Sequence, residues 1–148
     1  MSNKGLYFGV LISLIALVLF SMGKALWGGR PTDFHWTERL FFGICHQIPE
    51  RTFFVNELPM AVNSRCFGLF GGLLAGWAMI PVLGSGFRNG KWPVRILVIA
   101  ITLQLIDFTG NLFGWWVNTN ESRFILGTIL GISGPLSVAS MFYNQPSN

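Results

Sequence analysis

Leu6-Tyr7-Phe8-Gly9-Val10-Leu11-Ile12-Ser13-Leu14-Ile15-Ala16-Leu17-Val18-Leu19-Phe20-Ser21-Met22-Gly23-Lys24-Ala25-Leu26-Trp27 is apolar except at Ser13, Ser21 and Lys24. At ~1.5 Å per helical residue, such a run crosses a hydrocarbon core of roughly 30 Å. The rest of the chain agrees. Hydrophobic residues make up 51% of its 148 residues and charged residues 11%, against about 25% charged in soluble domains. A soluble fold of this length needs far more polar surface, so most of the outer face must meet lipid. The length allows one domain, residues 1–148, and the composition defines an all-α integral membrane protein. A cleaved signal peptide is the alternative reading of the first run, with Lys4 ahead of it. The apolar stretch exceeds a typical h-region, however, and no clear Ala-x-Ala site follows.

Working outward, Gly28-Gly29-Arg30-Pro31 ends the first span, about 6–27. A second span is expected over 64–87, a third over 94–116 and a fourth over 123–143. Gly84-Ser85-Gly86 and Arg88-Asn89-Gly90-Lys91-Trp92-Pro93 form a short basic turn between the second and third, with Trp92 as an interfacial anchor. A kink is expected in the fourth at Gly134-Pro135. Segment 33–63 is too long for a structureless loop in so small a protein. Thr37 reads as a helix cap with Glu38 at the positive end of the dipole. Leu40, Phe41, Ile44 and Ile48 then share one face of a short interfacial helix that Pro49 breaks. Residues 53–62 read as an extended return to the membrane.

Four spans put both termini on one side and the two loops 28–63 and 117–122 on the other. Lys4, Arg88, Lys91 and Arg95 lie on the side of the termini without any acid, which places that side in the cytoplasm. The opposite side carries more basic residues in all, several of them candidates for a folded site. The net charge of +4 does not indicate nucleic acid, because the ten Lys and Arg residues are scattered among apolar runs and form no patch.

Two features inside the spans stand out. Gly68, Gly72 and Gly76 fall four apart on the second, the small-residue stripe by which membrane helices approach closely. It is expected to be a packing face, against another part of the chain, a second copy or a membrane partner. Gln104, Asp107 and Asn111 fall on one face of the third. A carboxylate at mid-membrane costs roughly 2.5–3.5 kcal/mol, so Asp107 is expected to face the bundle and find a partner. It lies nine positions before Trp116, about 14 Å from that end of a straight helix.

Both cysteines lie between the first two spans or at the start of the second. Ile44-Cys45-His46-Gln47-Ile48-Pro49-Glu50-Arg51-Thr52-Phe53 is followed by Asn63-Ser64-Arg65-Cys66-Phe67-Gly68. The topology lets Cys45, His46, Arg51, Arg65, Cys66, Asp107, Asn111 and Arg123 converge on one polar pocket near a membrane face. Arg51, Arg65 and Arg123 suit a phosphate or carboxylate, which a guanidinium fork matches with two hydrogen bonds. Asp107 and Asn111 complete the ligand-binding set. Alternatively, Arg65 and Arg123 snorkel to the headgroups while Asp107 pairs with one of them for stability. Cys45, His46 and Cys66 are the catalytic candidates: a reversible disulfide, a thiolate, or soft-metal ligands with His46 or His35. Adjacent Cys45 and His46 do not match the usual zinc spacings, there is no clear fourth ligand, and no Cys-x-x-Cys is present. Two inert buried thiols, and a His46 that only bonds backbone carbonyls, are the plain alternatives.

At these residues the chain resembles the DUF2085 family, small bacterial membrane proteins. The resemblance is carried by Cys45-His46-Gln47-Ile48-Pro49-Glu50-Arg51-Thr52-Phe53, by Arg65-Cys66-Phe67-Gly68, and by Asp107, Arg123 and Gly127. It implies a multi-pass protein of the bacterial inner membrane, and it implies no activity, substrate or cofactor. Relatives carry Cys-x-Arg-Cys where this chain has Asn63-Ser64-Arg65-Cys66, a departure that weighs against a Cys-x-x-Cys redox or zinc role here. Three functions follow as expectations: a membrane protein binding a small anion or lipid headgroup, a thiol or metal enzyme, and an assembly subunit.

Overall fold

The computed structural model describes residues 4–30, 33–83 and 91–143. The expected turn over 84–90 and the end of the second span beyond Leu83 lie outside the described residues, as does Pro31. The elements are α1 (Lys4–Ser21), α2 (Lys24–Trp27), α3 (Trp36–Phe41), a 3-10 turn (Pro49–Arg51), β1 (Phe54–Val55), β2 (Leu58–Pro59), α4 (Ser64–Leu83), α5 (Trp92–Leu112) and α6 (Asn120–Tyr143). Among the described residues, three helices are long and apolar enough to cross a membrane: Lys4–Ser21, Ser64–Val82 and Trp92–Leu112.

The closest packing is between α4 and α6. A Cβ on Gly76 would lie 2.8 Å from the Ile132 carbonyl oxygen, and Cβ atoms on Gly68 and Gly72 would collide with the carbonyls of Phe124 and Thr128. From the other side, Gly127 and Gly131 lie against the carbonyls of Arg65 and Leu69. The order of these partners makes α4 and α6 parallel, with the backbones in direct contact as small-residue stripes allow. The face expected to pack is thus filled by α6 of the same chain. The α5 helix runs antiparallel to both, with the Ser137 hydroxyl donating to the Pro93 carbonyl at 3.1 Å near one end and Asp107 meeting Arg65 near the other. The side chains of Val98, Ile99, Leu105 and Phe108 on α5 stay exposed, as a lipid-facing surface requires.

The α1 helix is apolar all round and lies along α4. Tyr7 stacks on Trp77 with ring centres 5.9 Å apart, and the Trp77 indole N–H donates to the Tyr7 carbonyl at 3.1 Å. At the other end Leu17, Val18 and Phe20 pack on Phe41, Cys45 and Phe70.

The expected first span of 6–27 is interrupted. The helix stops at Ser21, and Gly23 adopts φ 59 where the Ala61 N–H donates to the Ser21 carbonyl at 3.1 Å. Only glycine suits that position, since a Cβ would lie 2.7 Å from the Ala61 nitrogen. The break turns Lys24 inward, where its ammonium pairs with Glu38 at 3.0 Å, the two side chains being 5% and 13% exposed.

The interfacial helix is also shorter than its apolar spacing suggests. It ends at Phe41, so Ile44 and Ile48 lie beyond it. Its cap is His35 and not Thr37: the His35 ring accepts from the Thr37 N–H, and Glu38 accepts from the His35 N–H at 3.0 Å, a reciprocal capping box. The extended return is a small antiparallel hairpin, Phe54 opposite Pro59 and Val55 opposite Leu58. Its tip residues Asn56 and Glu57 have φ 51 and 65, as a two-residue primed turn demands.

The third and fourth helices are shifted. The α5 helix ends at Leu112, and Gly114 at φ 71 reverses the chain so that Trp116 folds back over Gly110. Asp107 is therefore only about 7.5 Å from the helix end, by the rise of 1.5 Å per residue. The α6 helix starts at Asn120 and continues through Pro135.

Candidate functional site

The helix starts of α4 and α6, the last two turns of α5 and the segment after α3 meet at one end of the bundle. Between them is a cleft of about 200 Å³, walled by polar groups from Cys45, His46, Arg51, Asn63, Arg65, Cys66, Asn111, Asn118 and Arg123. Ile44 and Phe108 form an apolar edge, and both are exposed on the outside of the bundle, at 70% and 56%.

Three arginines face this space from three elements. Arg51 ends the 3-10 turn that Pro49 starts, since proline suits the first position of a helical turn. Arg65 stands on the first turn of α4 and Arg123 on the first turn of α6, brought side by side by the parallel glycine packing. Their charges interact: Arg51 and Arg65 both act on Arg123. Among the described residues the wall carries no carboxylate. Asp107 stands behind it and is engaged twice, by the Arg65 guanidinium and by the Asn118 amide, which donates at 2.6 Å. The Arg65 Nε–H is buried and has no acceptor among the described residues, which leaves hydrogen-bonding capacity open in a side chain already fixed in place.

The thiols lie together on one wall. Cys45 is 4% exposed and accepts the Asn63 N–H at 3.2 Å; Cys66 packs against the apolar cluster that Cys45 belongs to. Both are free thiols. Hydrogen bonding from the Cys66 thiol pulls the Cys45 pKa from the ordinary 9.0 down to about 6, aided by the backbone N–H groups of Asn63 and Gln47 and by His46, against the opposing effect of burial.

Three side chains hold this loop in shape. Gln47, at φ 49, directs its amide to the carbonyls of Glu38 at 2.7 Å and Ala61 at 3.0 Å. The Thr52 hydroxyl donates to the Ile48 carbonyl at 2.9 Å, and Asn120 donates to the Thr52 carbonyl at 3.3 Å.

Of the residues expected to converge, Cys45, His46, Arg51, Arg65, Cys66, Asn111 and Arg123 line the cleft, and Asp107 supports it from behind. His35 is elsewhere, engaged in the α3 cap. Among the described residues no group of three His, Cys, Asp or Glu side chains is placed to hold a metal ion. Sequence reasoning missed Asn118, which is buried at the turn before α6, and Gln47, Thr52, Asn63 and Asn120. These are short polar residues in loops, where turn and buried network look alike in sequence. Lys24 was legible as an exception within an apolar run and Glu38 as a helix-start residue, but not the two as partners.

Apolar helices with outward-facing aliphatic side chains, around a cationic cleft at one end, define the class as a helical membrane protein. Comparison with known proteins agrees. The chain belongs to the DUF2085 family, described as a predicted membrane protein, whose pattern matches residues 45–135. It is also similar to Uncharacterized protein MJ1492 of Methanocaldococcus jannaschii, with 37% identity over 105 residues that cover 69% of this chain and 65% of that protein. This chain thus aligns with less than two thirds of that relative's length. That relative is archaeal, so the similarity is not confined to the bacteria that the resemblance implied. No solved structure matches the chain at a significant level.

Proposed function

We propose that this protein is a four-span protein of the cell membrane whose cleft binds a small anion, above all the anionic headgroup of a lipid. Arg51, Arg65 and Arg123 hold the anion, Asn111 adds a polar contact, and Asp107 fixes Arg65 while offsetting only one of the three positive charges. The observation that carries this reading is the charge pattern: three guanidinium groups meet one nearby carboxylate among the described residues, Asp107, which is already bonded to Arg65 and Asn118, so positive charge stays in excess. Bringing like charges together is unfavourable unless an anion joins them. Two parallel helix starts at the same place add their positive dipole ends. A lipid is favoured over a free ion by the apolar edge at Ile44 and Phe108, along which an acyl chain can leave toward the bilayer. The exposed indoles of Trp27, Trp36, Trp115 and Trp116 lie at this end of their helices and suit the headgroup level.

On this reading the fourth span is α6, covered largely by α4 and α5, and the termini face the cytoplasm. Native mass spectrometry of the protein, exchanged into phosphatidylcholine with a minor share of phosphatidylglycerol, tests the site. Phosphatidylglycerol should be retained preferentially, and Arg51→Ala or Arg123→Ala should weaken retention roughly tenfold each, as loss of a charge-assisted hydrogen bond predicts. Excess inorganic phosphate displacing the lipid would assign recognition to the phosphate group itself. Equal retention of both lipids, or arginine variants that melt and bind like the parent, sinks the reading.

A further inference from the structure

Anion binding leaves the two thiols on the cleft wall without a task. Cys45 and Cys66 come from different segments, the loop after α3 and the first turn of α4, and are the only cysteines in the chain. They nevertheless join one packed cluster, Cys45 within it and Cys66 against it, and face the same small space as the arginines. The surroundings of the two sulfurs differ. Cys45 receives the Asn63 N–H and sits beside His46, so charge on its sulfur is supported by fixed donors. Cys66 lies on the helix next to Arg65, which is held by Asp107. A supported thiolate with a second thiol in contact, reached by a cleft, is the arrangement that thiol–disulfide exchange needs.

We infer that Cys45 and Cys66 form a dithiol centre that reduces small anionic disulfides entering the arginine-lined cleft, with Cys45 as nucleophile and Cys66 as resolving thiol. The Cys45 thiolate attacks one sulfur of the substrate R–S–S–R, forming a Cys45–S–S–R mixed disulfide and expelling RS⁻. Cys66 gives up its proton and attacks the Cys45 sulfur, forming the Cys45–Cys66 disulfide and expelling the second RS⁻. Two electrons pass to the substrate, and the two protons lost by the cysteines finish on the two released thiols. The exchange step stands on the thiol geometry alone; the preference for an anionic substrate rests on the arginine reading of the cleft.

The test uses the full chain in detergent, reduced and freed of reductant, with two disulfides of similar size: dithiodiglycolate, a dianion, and cystamine, a dication. Mass analysis should show wild-type protein losing two hydrogens on treatment with dithiodiglycolate and carrying no adduct. Cys66→Ser should instead trap one adduct, on Cys45, and Cys45→Ser should trap none at that rate. The anion should react about tenfold or more faster than the cation, as charge steering allows. A stable adduct on wild-type protein, or a wild-type protein in which neither thiol reacts although both alkylate after unfolding, overturns the dithiol centre. If wild type forms the internal disulfide equally fast with both reagents, the anionic substrate class is overturned while the exchange step stands. Phosphatidylglycerol retention by the same preparation then shows separately whether the arginine reading has failed.

Discussion

The residue with the most unusual chemistry is Cys45, almost completely enclosed and yet bordering the cleft. Its pKa of about 6 gives a direct expectation for its reactivity. Alkylation by a small neutral reagent should rise tenfold per pH unit below about 6 and level off above about 7, where an ordinary thiol would still be climbing toward 9. The groups that share its surroundings are His46 beside it, Cys66 in contact, and Arg51, Arg65 and Arg123 around the cleft, with Asp107 behind Arg65. The measurement is the alkylation rate of Cys66→Ser against pH, in which Cys45 is the one remaining thiol. Because the Cys66 donor is the largest cause of the shift, the midpoint in this variant reads how well a serine hydroxyl replaces it, and in Cys66→Ala it should move up from the parent value. A midpoint near 9 in the parent, followed by mass analysis of each thiol, would show that the Cys45 sulfur lacks these donors. Sequence placed Cys45 and Cys66 in one region, and the helix order allowed them to meet. It could not reveal which sulfur is favoured as thiolate, since that depends on the direction of the Cys66 hydrogen bond and on the Asn63 and Gln47 backbone N–H groups, which every residue type but proline offers.

At the scale of elements, the glycine stripes decide which helices touch. Gly72 lies against the Thr128 carbonyl, whereas an added Cβ on its neighbour Gly71 meets nothing within 4 Å. Gly72→Ala should therefore destabilise the protein by about 1–3 kcal/mol, the usual range for overpacking a tight contact, while Gly71→Ala should be neutral or gain about 0.5–1 kcal/mol from helix propensity. Thermal melts of the two variants in one detergent separate these outcomes, and equal melting points would mean that α4 and α6 do not meet through this face. The four-residue spacing of these glycines was readable in the sequence, but their partner was not, because a stripe says only that something approaches. The interfacial segment shows the opposite limit. Leu40, Phe41, Ile44 and Ile48 keep a helical period, yet the helix ends at Phe41, where the Gln47 amide takes the Glu38 carbonyl and the Phe42 N–H turns to Arg39 instead. Hydrophobic period records which side chains want burial; it does not record where tertiary hydrogen bonds stop the helix. The first span failed similarly at Gly23, whose role comes from Ala61, far along the chain.

For the whole molecule, the arrangement sets a topology that chemical labelling can read. In a Cys45→Ser, Cys66→Ser background, Thr119→Cys should react with a membrane-impermeant maleimide added to intact cells, and Lys91→Cys only after the cells are opened. Both parent positions are exposed. The reverse pattern would turn the cleft toward the cytoplasm. The membrane character itself was legible from composition and run length, since lipid-facing surface needs apolar residues in bulk and not in any special place. The parallel pairing of α4 and α6 also bears on how the chain is made. Ser64 and Asn120, whose side chains meet at the helix starts, are 56 positions apart, and α5 is synthesised between them. When α4 leaves the ribosome its glycine face has no native neighbour, and it stays open to lipid or to other helices until α6 arrives. The glycine-mediated packing of α4 on α6 thus forms only after α5 has been made, and the arginine wall, which needs both helix starts, waits for α6.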